Sequence, residues 1–159
     1  TNICSDVAFG LWLGADLRDI KFACANYVPN MNRSEFVKTK SNTLILDAYN
    51  ANPTSMALSI SNFAKANYVN KLLILGDMFE LGEYSHKEHK AITELVKNTG
   101  IETLFIGESF SKCNHFSVSK SFKTTDELLE HLAAKNITNR TILLKGSRGM
   151  GLEKAKHYL

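Results

Sequence analysis

A chain of 159 residues, 44% apolar and 22% charged, has the size and composition of one soluble globular domain able to bury its own core. Its net charge of +3 comes from lysines scattered along the chain, with no basic stripe interleaved with aromatics, which gives no case for nucleic acid and leaves a small anionic ligand compatible. Three widely spaced cysteines (Cys4, Cys24 and Cys113) fit reduced thiols in a cytoplasm better than a disulfide framework or a zinc site, and apolar runs such as Leu72-Leu73-Ile74-Leu75 are too short to span a bilayer.

No basic flank followed by an apolar stretch opens the chain, so no signal peptide is expected, and a start on Thr1 reads as a piece of a longer protein. Over residues 2–14, Ile3, Val7, Ala8, Leu11 and Trp12 recur at helical spacing, with Gly14 as the stop. A second helix is expected over 17–27, ended by Pro29, and 28–34 is a connector rich in turn formers. Two helices without a strand read as the tail of a preceding domain, or a helical lead-in, over residues 1–30, with residues 31–159 as a domain of their own.

Past the connector the pattern changes. Residues 35–39 and 43–47 are strand-like, separated by the polar turn Lys40-Ser41-Asn42. A helix is predicted over 53–66, with Pro53 in its first turn and Met56, Ile60, Phe63 and Ala64 on one face. Residues 71–75 form a short apolar strand closed by Gly76. Helix 86–98 follows, with Ile92, Leu95 and Val96 inward, then strand 103–106 closed by Gly107. A weaker strand is expected over 115–118 and a helix over 126–134, capped by Thr124 or Thr125. Strand 141–144 leads through Lys145-Gly146-Ser147-Arg148 into a last helix from about Met150. Short continuous apolar strands alternating with helices predict an α/β fold of three layers, a mostly parallel Rossmann-like sheet with helices on both faces.

In such sheets ligands bind beyond the carboxyl ends of the strands, and three polar clusters fall there. The first is Asp47-Ala48-Tyr49-Asn50-Ala51-Asn52-Pro53, whose carboxylate and amides suit ribose hydroxyls or a base edge, although capping and turning are the commoner use of such a motif taken alone. The second, residues 76–82, puts Asp77 and Glu80 between glycines that let a backbone approach a ligand; a plain strand-to-helix loop would read the same. The third offers Lys145, Ser147 and Arg148 ahead of a helix start, a cradle for phosphate or carboxylate, or else a basic surface loop. Neither G-x-x-x-x-G-K-[ST] nor G-x-G-x-x-G occurs in the chain. His86 and His89 read as solvent-facing histidines, and no metal site is expected.

The segments LDAYNANPTSM (46–56), LGDMFELGEYSHKEH (75–89) and LLKGSRGMGLE (143–153), in this order and spacing, resemble the C-terminal domain of the Mur ligase family. Within it they resemble the branch that joins D-alanyl-D-alanine to UDP-N-acetylmuramoyl-tripeptide through an acyl phosphate. The resemblance covers nearly the whole chain and makes residues 1–30 similar to the helical end of that family's central domain. It implies ATP and Mg2+ as cofactors, held mainly by a central domain that carries the P-loop, and hence a segment inactive alone. Partners implied are the two peptide substrates and the other domains of the same cytoplasmic enzyme.

Residue by residue, the resemblance makes Arg33, Asp47, Tyr49, Asn50 and Asn52 nucleotide-binding. It gives Asp77, Glu80, Leu81 and Ser147 to the substrate, and Lys145 and Arg148 to catalysis by spreading the charge of the transferring phosphoryl group. The family usually carries glycine where this chain has Asn32. A non-catalytic nucleotide- or peptide-binding α/β module is the alternative.

Overall fold

The computed structural model describes residues 2–27, 32–113 and 116–159. Helices α1 (Asn2–Trp12) and α2 (Leu17–Asn26) precede the sheet, Asp16 capping α2 by accepting from the Arg18 N–H. Pro29 and most of the connector lie outside the described residues. Much apolar surface on the two helices faces solvent, with Trp12 77% and Phe22 70% exposed.

Six strands follow: β1 (Glu35–Lys38), β2 (Thr43–Asp47), β3 (Lys71–Gly76), β4 (Glu102–Ile106), β5 (Ser119–Phe122) and β6 (Thr141–Lys145). They form one sheet in the order β1-β2-β6-β3-β4-β5, parallel throughout except for the antiparallel edge pair β1–β2. Alternation along the strands feeds two cores. Leu44, Leu46, Leu72, Ile74, Ile142 and Leu144 pack beneath α6 (Thr125–Ala134) and the C-terminal 3-10 turns. Ile45, Leu73, Leu75, Leu143 and Phe105 pack beneath α3 (Pro53–Lys65), α4 (Ser85–Lys97) and the short α5 (Glu108–Ser111). The three-layer α/β reading stands.

Chain reversal fixes where a ligand can enter. Strands β3, β4 and β5 advance across the sheet, and β6 then returns to insert between β2 and β3. The chain leaves β2 toward α3 on one face and leaves β6 toward the C-terminal turns on the other. A crevice therefore opens at the carboxyl ends of β2, β6 and β3, the topological switch point of the sheet.

Three elements differ from expectation. The fifth strand runs from Ser119 to Phe122, not over 115–118: residues 116–118 turn, and 114–115 lie outside the described residues. The segment after β6 winds as 3-10 turns, Arg148–Met150 and Leu152–Tyr158, because Gly151 at φ +62° breaks a continuous helix. The four-residue α5 went unpredicted. Among the described residues no helix is long and apolar enough to cross a membrane.

Candidate functional site

Asp47 and Lys145 end adjacent parallel strands in register, so their side chains emerge on the same face. Lys145 Nζ donates to Asp47 Oδ2 at 2.6 Å, with the lysine side chain 3% and the aspartate 18% exposed. The same carboxylate accepts from Ser59 Oγ of α3 at 3.1 Å, and its other oxygen from the Ser34 N–H at 3.3 Å. One carboxylate thus ties the entry to β1, the end of β2, α3 and β6. A cleft of about 270 Å3 opens beside it, lined by Ser34, Asp47, Ser59, Asn62 and Tyr68 among others.

Tyr49 lies next along the first cluster. The Arg33 guanidinium sits 3.8 Å from the centroid of its ring, and that of Arg148 5.4 Å. Hydrogen bonding and charge from Arg33, with Arg148 adding, hold the phenol below its ordinary pKa of 10.0. Two exposed guanidiniums converging on one ring, next to a lysine already paired, leave net positive potential at the crevice mouth. Asn32 adopts φ +59°, a left-handed conformation that asparagine tolerates, so the approach to Arg33 keeps a conformation that glycine also favours. Asn52 caps α3 in a reciprocal box with Ser55, and Asn50 Oδ1 accepts from the Ala51 N–H, so both amides work locally.

The second cluster is held by backbone. Asp77 is only 4% exposed. Its carboxylate accepts from the N–H groups of Ser109 at 2.8 Å and Phe110 at 2.9 Å. Gly107 makes that approach possible: at φ +123°, a Cβ there would fall 2.2 Å from the Asp77 carboxyl carbon. Beyond Asp77 the loop turns outward, with Glu80 exposed at φ +64° and Leu81 packed against the core under α3 and α4.

Ser147, in the third cluster, is buried, and its Oγ accepts from the Phe79 N–H at 2.8 Å. The Phe79 ring lies against Gly149, where a Cβ would come within 2.7 Å of it. The structure therefore brings Arg33, Asp47, Tyr49, Lys145 and Arg148 into one group. Asp77, Ser147 and the 79–81 segment form a second group joined to it through the chain 145–149. Lys145 is committed to Asp47, and Asp77 to backbone.

Sequence reasoning missed His89, expected to face solvent and in fact fully buried, whereas His86 is exposed. The signal was present: 89, 92, 93 and 96 share one helical face, and all four are buried. Ser34 and Ser59 were also missed, with nothing local to distinguish them, and Gly107 was read only as the close of a strand. Among the described residues no group of three or more His, Cys, Asp or Glu side chains is placed to hold a metal ion.

Comparison with known proteins agrees with this architecture. UDP-N-acetylmuramoyl-tripeptide--D-alanyl-D-alanine ligase of Bacillus subtilis (strain 168) is 32% identical over 165 residues, covering 96% of this chain and 36% of the relative. The chain spans about a third of the length of the curated relatives it matches. A solved UDP-N-acetylmuramoylalanyl-D-glutamyl-2,6-diaminopimelate--D-alanyl-D-alanyl ligase from Acinetobacter baumannii superposes with a TM-score of 0.81 at 28% identity, covering 96% of this chain and 34% of that one. The MurF ligase of Thermotoga maritima in complex with ADP shares the fold at a TM-score of 0.78 and 21% identity, covering 99% of this chain and 36% of that one. Residues 32–148, most of the chain and all three clusters, match the family described as Mur ligase, glutamate ligase domain. The chain belongs to the Mur ligase family.

Proposed function

We propose that this chain is the C-terminal part of an ATP-dependent ligase joining D-alanyl-D-alanine to UDP-N-acetylmuramoyl-tripeptide in peptidoglycan precursor synthesis. The observation that carries the reading is the convergence of Arg33 and Arg148 on Tyr49 beside the Asp47–Lys145 pair, at the switch point of a Mur ligase sheet. In the reaction, the γ-phosphoryl group of ATP passes to the tripeptide carboxylate, leaving ADP and an acyl phosphate. The dipeptide amine then attacks the acyl carbon, the amide forms, inorganic phosphate leaves and the nitrogen loses a proton.

Arg33 and Arg148 are the groups suited to phosphate oxygens, because each offers several donors in a planar fork. Asp47 accepts from Lys145 and Ser59 on Oδ2 and from the Ser34 N–H and Oγ on Oδ1; the Ser34 Oγ bond, at 3.5 Å the longest of the four, is the one a ribose hydroxyl would displace. Lys145 acts by fixing that carboxylate. Glu80 and Phe79, exposed on the second loop, form the side open to the amine substrate. Mg2+ and the P-loop belong to a preceding central domain. The exposed apolar residues of α1 and α2 support such a neighbour, with residues 1–30 as its helical end. A ligase consuming ATP and a UDP-linked peptide works in the cytoplasm.

The test is a ligation assay with ATP, Mg2+, UDP-N-acetylmuramoyl-tripeptide and D-alanyl-D-alanine, run on this chain and on the full-length polypeptide. Amide formation by the full-length polypeptide alone is the expected result. Ligation by this chain unaided would contradict the division of labour, and no ligation by either would favour a non-catalytic binding module.

A further inference from the structure

Three consecutive backbone N–H groups of the second loop are each bonded to a different element. Asp77 N–H donates to the Ile106 carbonyl at the end of β4, at 2.9 Å. Met78 N–H donates to His89 Nε2 of α4, at 3.0 Å. Phe79 N–H donates to Ser147 Oγ beyond β6, at 2.8 Å. The Ser147 N–H returns a bond to the Asp77 carbonyl at 3.1 Å, so the loops after β3 and β6 are tied twice.

His89 is the member of this set with no other evident duty. Its Nδ1 lies 2.7 Å from the Ser85 carbonyl, which can only accept, so Nδ1 carries the proton. Its Nε2 then presents a lone pair to the Met78 N–H. The 3.5 Å contact from Nε2 to Asp77 Oδ1 is too long for a hydrogen bond, and that oxygen already accepts from Phe110. The ring is fully buried and meets Phe110 edge-on with centroids 4.6 Å apart, so it has one orientation. His89 is fully buried with both ring nitrogens bonded, and Asp77, 4% exposed, holds two backbone N–H groups with its carboxylate.

We infer that His89 and Asp77 are positioning residues, which fix residues 78–82 against 147–149 and so set the pocket for the amine substrate. This rests on the ligase reading above. The loop leaves its last fixed N–H at Phe79 and reaches Glu80 at φ +64°, a conformation that a non-glycine residue holds at a cost. The three clamped N–H groups hold it there, with the Phe79 ring on Gly149 and the Glu80 carboxylate outward. Arg33, Tyr49 and Asp47 lie on the other side of the crevice and share none of these bonds. Loosening the loop at His89, which leaves the Ser147 bonds next to Arg148 in place, therefore weakens the amine substrate and spares the nucleotide.

The experiment is steady-state kinetics on the full-length ligase carrying His89→Leu, which leaves the Met78 N–H unpaired, and His89→Gln, whose amide oxygen can accept in place of Nε2. For His89→Leu, the KM for D-alanyl-D-alanine should rise about tenfold, the scale of one buried unpaired donor, while the KM for ATP stays within about twofold. His89→Gln should return the dipeptide KM to within about threefold of wild type, a recovery that bulk destabilisation would not give. An unmoved dipeptide KM, or an equal rise for ATP, would overturn the inference. If His89→Leu does not fold, Ser147→Ala reads the same clamp by amide exchange: faster exchange at Phe79 supports it and unchanged exchange refutes it. Amide exchange at residues 78–81 needs no activity: faster exchange in the leucine variant supports the clamp, and unchanged exchange refutes it. Absence of ligation by the wild-type protein would instead count against the ligase reading, leaving the exchange result to decide this one.

Discussion

Two loops on one edge of the sheet are built on opposite plans. The loop after β2 is organised by side-chain charge: Asp47 is held by Lys145, and Tyr49 lies beneath Arg33 and Arg148, with both guanidiniums exposed. The loop after β3 is organised by backbone: its carboxylate and three N–H groups all end on protein partners. A charge-built loop keeps the donors of its exposed guanidiniums for a ligand and relies on strand register for rigidity. A backbone-clamped loop presents only what lies beyond the clamp. The two acids differ accordingly: Asp77 is 4% exposed and its carboxylate holds two backbone N–H groups of α5, whereas the Asp47 side chain is 18% exposed beside the paired Lys145.

Substitutions can break or sharpen that contrast. The largest effect is expected for Asp77→Ala, which strips the acceptor from two N–H groups at α5 and should cost about 3 kcal/mol of stability. Asp77→Asn, keeping one acceptor oxygen, should recover about half of that in chemical denaturation. Lys145→Met should cost less, about 2 kcal/mol, since Asp47 loses its cation but stays partly solvated. That variant should nonetheless lower kcat/KM of the full-length enzyme by about tenfold or more. If Asp77→Ala lowered activity without lowering stability, the two loops would not differ in kind.

Asn52→Ala should remove the α3 cap for about 1 kcal/mol and leave the KM for ATP unchanged, because its side chain serves the helix. The smallest effect is a pH dependence remote from the crevice. Burial, aided by Lys120 and Lys135, holds the His131 pKa below its ordinary 6.5. The unfolded chain therefore binds more protons there than the folded one, and stability falls as the pH drops below 6.5. Melting curves at several pH values should show that slope in wild type and a shallower one in His131→Gln.

The fold was legible because β2, β3, β4 and β6 are near-continuous apolar runs, as strands buried on both faces must be. Strand β5, Ser119–Phe122, is an edge strand with polar residues on its open positions, and no apolar run marked its start. The three clusters were legible as loops on one edge of the sheet because each follows a strand end. Their internal division of labour was not. The Asp47–Lys145 bond joins residues 98 apart in sequence, and the Asp77 carboxylate reaches residues 32 and 33 positions on. Such pairings depend on strand order, which local pattern does not encode. His89 marks the boundary between the two cases, since its helical face was readable and its partner Met78 N–H was not.

The most direct measurement is the KM for ATP of the full-length enzyme carrying Arg33→Ala and Arg148→Ala together. Both side chains are exposed and contribute little to the core, so the folded structure should persist. Loss of both guanidiniums from the crevice should raise the KM for ATP by at least about tenfold, with the melting temperature unchanged. An unchanged KM for ATP in the folded double variant would contradict the placement of the nucleotide at this crevice.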